Sequence, residues 1–357
     1  MPKKIRFGIV GTGGMANAHA QNFSQIAGVE LTSCVDVIPE RAAAFAQKHG
    51  FAHTANSLDE LIDRCDAVCV VTPDKHHAEP SVRILNAGRH LLCEKPLTTT
   101  LDEARAVAQA AVAAGEQGVV HMTNFSYRSS AAFQEAMKVV RSGRLGALRH
   151  THSFYLQTWL SADVWGHWSR EAFLWRLDRR TSGGVLGDLG CHILDMTTGI
   201  AGEVRRVRCE LRTFPKVFEG ELVTEKDGRN LDANDTAVIQ LEFADGSIGV
   251  VQTSRWATGH VNHLRCEVHG TEGALCLDLD RSYTALDLSL GADAQKARWK
   301  TMELKPTPTN YERFAKAIRT GRPDQPDAVR GAQIQAYLDA CERSADSGNW
   351  EDVLPWI

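Results

Sequence analysis

Over its first 123 residues the chain switches its hydrophobic period again and again, and this alternation restricts the fold more than any other feature. Lys4–Gly11 reads as a strand, Met15–Ala27 as a helix, Val29–Val37 as a strand, Pro39–His49 as a helix and Ala67–Thr72 as a short apolar strand. The series continues with His77–Ala87 (helix), His90–Cys93 (strand), Leu101–Ala114 (helix) and Gly118–His121 (strand). Strands that alternate with helices of about ten or more residues need right-handed crossovers. These set helices on both faces of a parallel, doubly wound sheet.

After Thr123 the pattern changes. Ser130–Ser142 reads as a helix and Ala147–Gln157 as a strand, followed by an aromatic stretch with Trp159, Trp165, Trp168, Phe173 and Trp175. A glycine-flanked helix is expected over Val185–Thr198. From Arg205 to Asp280 strands are separated by turn signals, with Ala244-Asp245-Gly246-Ser247 as the turn of a hairpin. Two helices, 311–320 and 327–344, close the chain after the linker-like Lys305–Thr309. Strand runs with segregated helices suggest an α+β arrangement on a mostly antiparallel sheet. A length of 357 residues accommodates two domains, expected at 1–123 and 124–357 with the helices 311–344 in the second.

Forty Lys+Arg against forty-four Asp+Glu leave a formal charge of −4, which argues against a broad nucleic-acid or anionic-membrane surface. The apolar runs fall far short of a membrane span, and Met1-Pro2-Lys3-Lys4 leads into a short strand rather than a long apolar segment, so no secretory signal is visible. Nine cysteines, an odd number and mostly inside apolar runs (Cys34, Cys69, Cys191, Cys276), suit free thiols in a reducing compartment. The expected location is cytoplasmic.

Gly11-Thr12-Gly13-Gly14-Met15-Ala16 lies between an expected strand and an expected helix. This is G-x-G-x-x-A in the context that dinucleotide binding requires: one glycine permits the tight turn, and the next lets backbone N–H groups approach a pyrophosphate at the helix N-terminus. Asp36 ends the second strand, about twenty residues on, where an acidic group bonds the adenosine ribose hydroxyls and repels a 2′-phosphate. That favours NAD, and Arg41 one helical turn later leaves NADP as the alternative.

Glu94-Lys95-Pro96 follows a strand at the carboxyl edge of the sheet, where open α/β folds bind ligands. An ammonium there suits hydrogen bonding to a substrate hydroxyl, although a surface lysine at a strand end is the plain alternative. Asp188 and His192 lie four apart, on one face of a helix, with Asp195 a neighbour. A carboxylate beside an imidazole fixes its tautomer while the other nitrogen takes a proton. A solvated pair is the commoner arrangement, and no further Cys/His cluster supports a metal. The aromatics between Tyr155 and Trp175 suit stacking on a sugar ring or a nicotinamide, and equally a core or a subunit interface. Thr72-Pro73-Asp74-Lys75-His76-His77 follows the third apolar strand, facing a cofactor or simply solvated.

Together these residues resemble the Gfo/Idh/MocA family of NAD(P)-dependent oxidoreductases over nearly the whole chain. The resemblance rests on Gly11–Ala16, Thr72-Pro73 with His77, Cys93-Glu94-Lys95-Pro96, Asn124 through Tyr127-Arg128, and Gly183-Gly184 with Asp188 and His192. It implies an α/β fold: an N-terminal Rossmann domain and a C-terminal α+β domain on an open sheet commonly used for homodimers or homotetramers. By that resemblance Lys95, Asp188 and His192 form the catalytic set, with His192 as general base, Lys95 bonding the reacting oxygen and Asp188 orienting His192 or a neighbouring hydroxyl. Cofactor contacts are expected from Gly11, Gly13, Gly14, Met15, Asp36, Arg41, Thr72, Pro73, His77, Glu94, Lys95, Asn124 and Arg176. Substrate contacts are expected from Lys95, Arg128, Tyr155, Trp165, Asp188 and His192. Asp74 stands where the family usually has Asn.

The expected activity is oxidation of a secondary hydroxyl of a cyclic polyol or sugar, with no metal. Two alternatives stand beside it: an NAD-dependent glycoside hydrolase, which the same fold supports, and a non-catalytic dinucleotide-binding sensor.

Overall fold

The computed structural model describes residues 4–357; Met1–Lys3, part of the N-terminal stretch read for a secretory signal, lie outside the described residues. The chain divides into two compact units. One holds the residues up to Ser126 together with Pro308–Gln335 and Trp356–Ile357; the other holds Tyr127–Thr307 and Ala336–Pro355.

The first unit runs β1 (Ile5–Val10), α1 (Gly14–Ser24), β2 (Val29–Val35), α2 (Pro39–His49), β3 (His53–Thr54), α3 (Leu58–Arg64), β4 (Ala67–Val70), α4 (Ala78–Asn86), β5 (His90–Cys93), α5 (Leu101–Glu116) and β6 (His121–Thr123). The strands pair in the order β3-β2-β1-β4-β5-β6, parallel throughout. The order reverses between β1 and β4, so the loops after these two strands flank the switch point where such sheets bind ligands. Alternate residues face opposite sides, as the pleat demands. Phe7, Ile9, Cys69, Leu92 and Met122 join one buried cluster, and Val10, Val68, Val70, Leu91 and Cys93 the other. The last strand starts three residues later than expected, because Gly118 (φ +80°) turns the chain and Val119–Val120 serve as its lead-in.

The second unit begins with α6 (Ala131–Arg141), β7 (Leu148–Leu156) and the one-turn α7 (Glu171–Leu174). A π-turn over Leu186–Gly190 leads into α8 (Cys191–Ala201), which ends at Gly202 rather than at Thr198. Then come β8 (Val204–Arg212), two small hairpins, β9 (Lys216–Phe218) with β10 (Glu221–Val223) and β11 (Glu225–Lys226) with β12 (Arg229–Asn230), and β13 (Thr236–Phe243). The strands β14 (Ile248–Ser254), β15 (His263–Gly270), β16 (Gly273–Asp278), β17 (Ala285–Leu290) and β18 (Lys300–Glu303) follow. Helix α9 (Asn310–Thr320) belongs to the first unit, where Phe314, Ala315, Ala317 and Ile318 pack against α1 and β1 residues. Helix α10 (Ala328–Ser347) and the short β19 (Glu351–Asp352) complete the order.

Among the described residues the second unit's main sheet has nine strands, β18-β17-β16-β15-β7-β14-β13-β8-β19. It is antiparallel except where β14 runs parallel to β7. One face, with Val207, Ile239, Leu241, Val251, Leu264 and Cys266, is buried under α6 and α8. The other face leaves Val238, Ile248 and Val250 exposed. All nine cysteines are buried and none is in a disulfide. Burial pushes the thiols of Cys34 and Cys276 up to about 11, and those of Cys65 and Cys266 up to about 12. Among the described residues no helix is long and apolar enough to cross a membrane.

Candidate active site

In the first unit the turn after β1 is dictated by glycine. Gly11 has φ +87°, and a Cβ there would come within 2.9 Å of the Val71 carbonyl oxygen. Gly13 and Gly14 differ: a Cβ at either meets nothing within 4 Å, and no side chain caps α1. The first turn of α1 thus presents backbone N–H groups to an open cradle, which fits a pyrophosphate. Met15 is half-exposed on that turn.

Asp36, just past β2, accepts hydrogen bonds from Thr12 N and Thr12 Oγ1 (both 2.8 Å) and from Ile38 N (3.0 Å). Burial opposes its charge, but these donors and the nearby Arg41 hold the carboxyl below the usual range. An ionised acceptor clamped beside the glycine turn fits a ribose diol.

The loops after β4 and β5 are tied together by His77. Its Nδ1 lies 2.8 Å from the Pro96 carbonyl and its Nε2 2.8 Å from the Thr72 carbonyl, with the side chain 1% exposed. Two carbonyl acceptors require two N–H donors, so the geometry selects the imidazolium. Burial works against that charge, but Cys93 and the two carbonyls outweigh it and raise the pKa to about 9. His77 therefore braces two loops against each other, the one that carries Thr72 and Pro73 and the one that carries Lys95.

Glu94 is buried with its Oε1 2.7 Å from both His19 Nε2 and Asn124 Nδ2. Asn310 in turn donates to Asn124 Oδ1 at 3.2 Å. Burial would push Glu94 up; His19, Asn124 and Lys95 bring it down to about 2. Lys95 itself is half-buried, its backbone N–H donating to Glu94 Oε2 at 3.1 Å.

In the second unit Asp188 lies within the π-turn and His192 in the first turn of α8. The turn is built on glycine: Gly184 has φ +65°, and a Cβ there would fall 2.7 Å from Asn234 N. Wide turns of this kind recur at functional positions. The His192 ring packs edge-on against Tyr127 (centroids 4.9 Å) and Tyr155 (6.2 Å). Tyr127 and Tyr155 hydroxyls are 2.8 Å apart; Tyr155 donates to Asn262 Oδ1 (2.7 Å), and Asn262 Nδ2 donates back to Tyr127 (3.0 Å). This closed ring of bonds, with Gln157 Nε2 donating to Asn262 Oδ1 (2.8 Å), gives His192 a rigid wall.

Beside it lies a cavity of about 290 Å³ lined by Gln157, Trp159, Trp165, Phe173, Arg176 and Asp188. Aromatic faces with a few polar groups suit a ring whose faces are apolar and whose edges carry hydroxyls. Arg176 stacks its guanidinium 4.3 Å from the Trp175 ring centroid.

Tyr155, Trp165, Arg176, Asp188 and His192, all expected at the site, thus converge in this unit. Arg128 is placed elsewhere: it is 5% exposed and pairs bidentately with Asp195, both bonds 2.6 Å. Sequence reasoning missed Gln157, Asn262 and Arg255, the last bonding Asp188 at 3.0 Å. They are separated along the chain from Tyr127, Asp188 and His192, and only strand pairing brings them together; no short motif announces them.

The comparisons with known proteins cover most or nearly all of the chain. Levoglucosan dehydrogenase of Pseudarthrobacter phenanthrenivorans is 28% identical over 98% of this chain and 98% of its own. The 1,5-anhydro-D-fructose reductase of Ensifer adhaerens is 32% identical over 76% of this chain and 74% of its own. A solved levoglucosan dehydrogenase in complex with NADH and levoglucosan superimposes with a TM-score of 0.85 at 27% identity, covering 99% of this chain and 100% of that one. Residues 5–123 match the oxidoreductase family with an NAD-binding Rossmann fold, and residues 133–276 match the GFO/IDH/MocA C-terminal domain. Matched in both of its halves, the chain belongs to the Gfo/Idh/MocA family of oxidoreductases.

Proposed function

We propose that this protein is an NAD-dependent dehydrogenase that oxidises a secondary hydroxyl of an uncharged cyclic polyol or sugar, such as an anhydrosugar or a cyclitol. The observation that carries this reading is the cavity walled by Trp159, Trp165 and Phe173, with Gln157 and Asp188 as its hydrogen-bonding groups. The relatives named for levoglucosan and 1,5-anhydro-D-fructose point to the same substrate class.

Bound NAD supplies the hydride acceptor. When it is bound, the glycine turn would hold its pyrophosphate, and Asp36 would take the ribose hydroxyls and disfavour a 2′-phosphate. To His192 we assign the hydroxyl proton, which leaves as the carbon gives up its hydride and the C–O bond becomes a carbonyl. Lys95 donates a hydrogen bond to that oxygen and stabilises the negative charge it gathers. Asp188 accepts from a neighbouring hydroxyl and fixes the ring's orientation. Self-association is assigned to the outward face of the nine-stranded sheet, and sedimentation of a Val250→Lys variant tests it: a monomer supports the assignment.

The test of function is the initial rate of NADH formation over a panel of levoglucosan, inositols and aldoses, repeated with NADP. Turnover of one class, abolished in Lys95→Ala while NADH binding persists, is the expected result. Release of aglycone from aryl glycosides without net NADH would instead identify a hydrolase. Nucleotide binding with no turnover of any kind would leave a sensor.

A further inference from the structure

Arg255 directly follows β14 and is the largest fully buried side chain among the described residues. A guanidinium cannot shed its proton to escape a dry environment, so its burial has to be offset by fixed anionic or carbonyl partners, which Arg255 finds through Nη1 and Nη2 while its Nε stays unbonded. Its Nη2 donates to Asp188 Oδ2 at 3.0 Å and to the Gly184 carbonyl at 3.3 Å, and its Nη1 donates to the Arg176 carbonyl at 3.1 Å. Its Cζ lies over the ring of the cavity residue Trp159, 5.2 Å from the centroid. The pair is asymmetric. The Arg255 side chain is 0% exposed, whereas the Asp188 side chain is 28% exposed and lines the cavity.

The neighbouring buried cation does not compete for Asp188. Lys216 has its own carboxylate, Asp235, at 2.5 Å. The other groups facing Asp188 are His192 one turn on in α8, the phenol of Tyr155 on β7, which feels its charge, and Arg176 across the cavity. Arg255 is the group among these that touches Asp188, Gly184 and the Arg176 backbone at once.

We propose that Arg255 is a positioning residue: from behind the cavity wall it holds Asp188 as a fixed carboxylate acceptor for a substrate hydroxyl, so that Asp188 orients the ring and His192 alone accepts the proton. This deepens, and rests on, the polyol dehydrogenase reading. It also ties specificity to a residue that never meets the substrate. The same guanidinium bonds the Gly184 carbonyl through Nη2 and the Arg176 carbonyl through Nη1 and lies over Trp159, so the acceptor and the stacking surface are set by one side chain.

Two measurements on Arg255→Met, Arg255→Lys, Asp188→Asn and the Arg255→Met/Asp188→Asn double variant test it. The first follows the Asp188 carboxyl by carbon NMR as pH is varied and needs no catalysis. Loss of its cation in Arg255→Met is expected to raise that titration by at least about one pH unit, with Arg255→Lys returning it most of the way. The second is the pH profile of kcat/KM for the best polyol. Arg255→Met is expected to lower kcat/KM about 100-fold and shift the acid limb upward with the NMR titration. The double variant is expected to be no worse than Asp188→Asn alone. An Asp188 titration that stays in place in Arg255→Met, or losses that multiply in the double variant, overturns the proposal. Should Arg255→Met fail to fold, Arg255→Gln, which removes the charge but keeps a donor for the backbone carbonyls, carries the same comparison with the same sign. A wild-type protein that turns over no polyol removes the dehydrogenase reading instead, while the NMR titration still decides the role of Arg255.

Discussion

His77 donates from both ring nitrogens, and the consequence is a stability that depends on pH with a definite sign. Its folded pKa of about 9 lies above the value of about 6.5 for an unperturbed histidine. A raised folded value means that the stabilisation is complete below about pH 6.5 and disappears as pH rises through 9. Roughly 2.5 pH units of separation correspond to at most about 3 kcal/mol. His77→Gln keeps a donor of similar size but cannot become cationic. Denaturant unfolding from pH 6 to 10 should therefore show the wild-type advantage over His77→Gln shrinking steadily between 6.5 and 9. A constant gap between the two curves would mean that the ring is neutral. The Thr-Pro…His spacing was legible in the sequence, but the direction of the ring was not. A histidine that follows a strand reads equally as a cofactor contact, and only the carbonyls of Thr72 and Pro96 show that it serves the loop.

Among the elements, the π-turn before α8 depends on a glycine just ahead of it. Gly184 combines φ +65° with a backbone nitrogen 2.7 Å from where a Cβ would sit. Gly184→Ala should cost roughly 1–3 kcal/mol of stability, read as a drop in denaturant midpoint, and should lower kcat because Asp188 moves with the turn. Gly187, where a Cβ meets nothing within 4 Å, is the matched control, and Gly187→Ala should change little. A glycine-rich helix was expected here, yet periodicity does not separate a π-turn from an α-helix over five residues. Elements with strong local patterns were read nearly to the residue: α2 begins at Pro39, ends at His49 and is stopped by Gly50 at φ +75°. Short ones were not. The two-residue edge strand β3 has too few side chains to show a period, and α3 spans only seven residues. Ser57 caps its start, accepting a bond from Glu60 N.

Across the whole molecule, two deeply buried cations each face a buried carboxylate. Lys216 and Asp235 are both 0% exposed and 2.5 Å apart, and Arg128 with Asp195 is nearly as deep. Removing one partner strands the other: Lys216→Met should destabilise by roughly 3–5 kcal/mol, while Lys216→Met with Asp235→Leu should recover most of that loss. Urea denaturation of the two variants measures the difference, and equal losses in both would show that the pair acts only through packing. The alternating strands and helices, the fingerprint and the Glu-Lys-Pro triplet made the fold class legible because each is a local pattern. The pairings of Asp188 with Arg255 and of Tyr127 with Asn262 were not, since each depends on strands that meet only in the folded sheet.

The nine sequestered thiols make the protein a recorder of its own opening. With pKa values near 11–12, the thiols of Cys34, Cys65, Cys266 and Cys276 hold on the order of one part in ten thousand or less as thiolate at neutral pH, and the packed side chains around them deny reagent access as well. An aromatic disulfide added to the native protein should therefore react at a rate set by transient unfolding rather than by reagent concentration. Cys69 and Cys341 at 0% exposure report on the two units separately. If saturating NADH slows labelling of Cys69 but leaves Cys341 unchanged, binding energy is spent within one unit; if both slow together, the two units open as a single cooperative body.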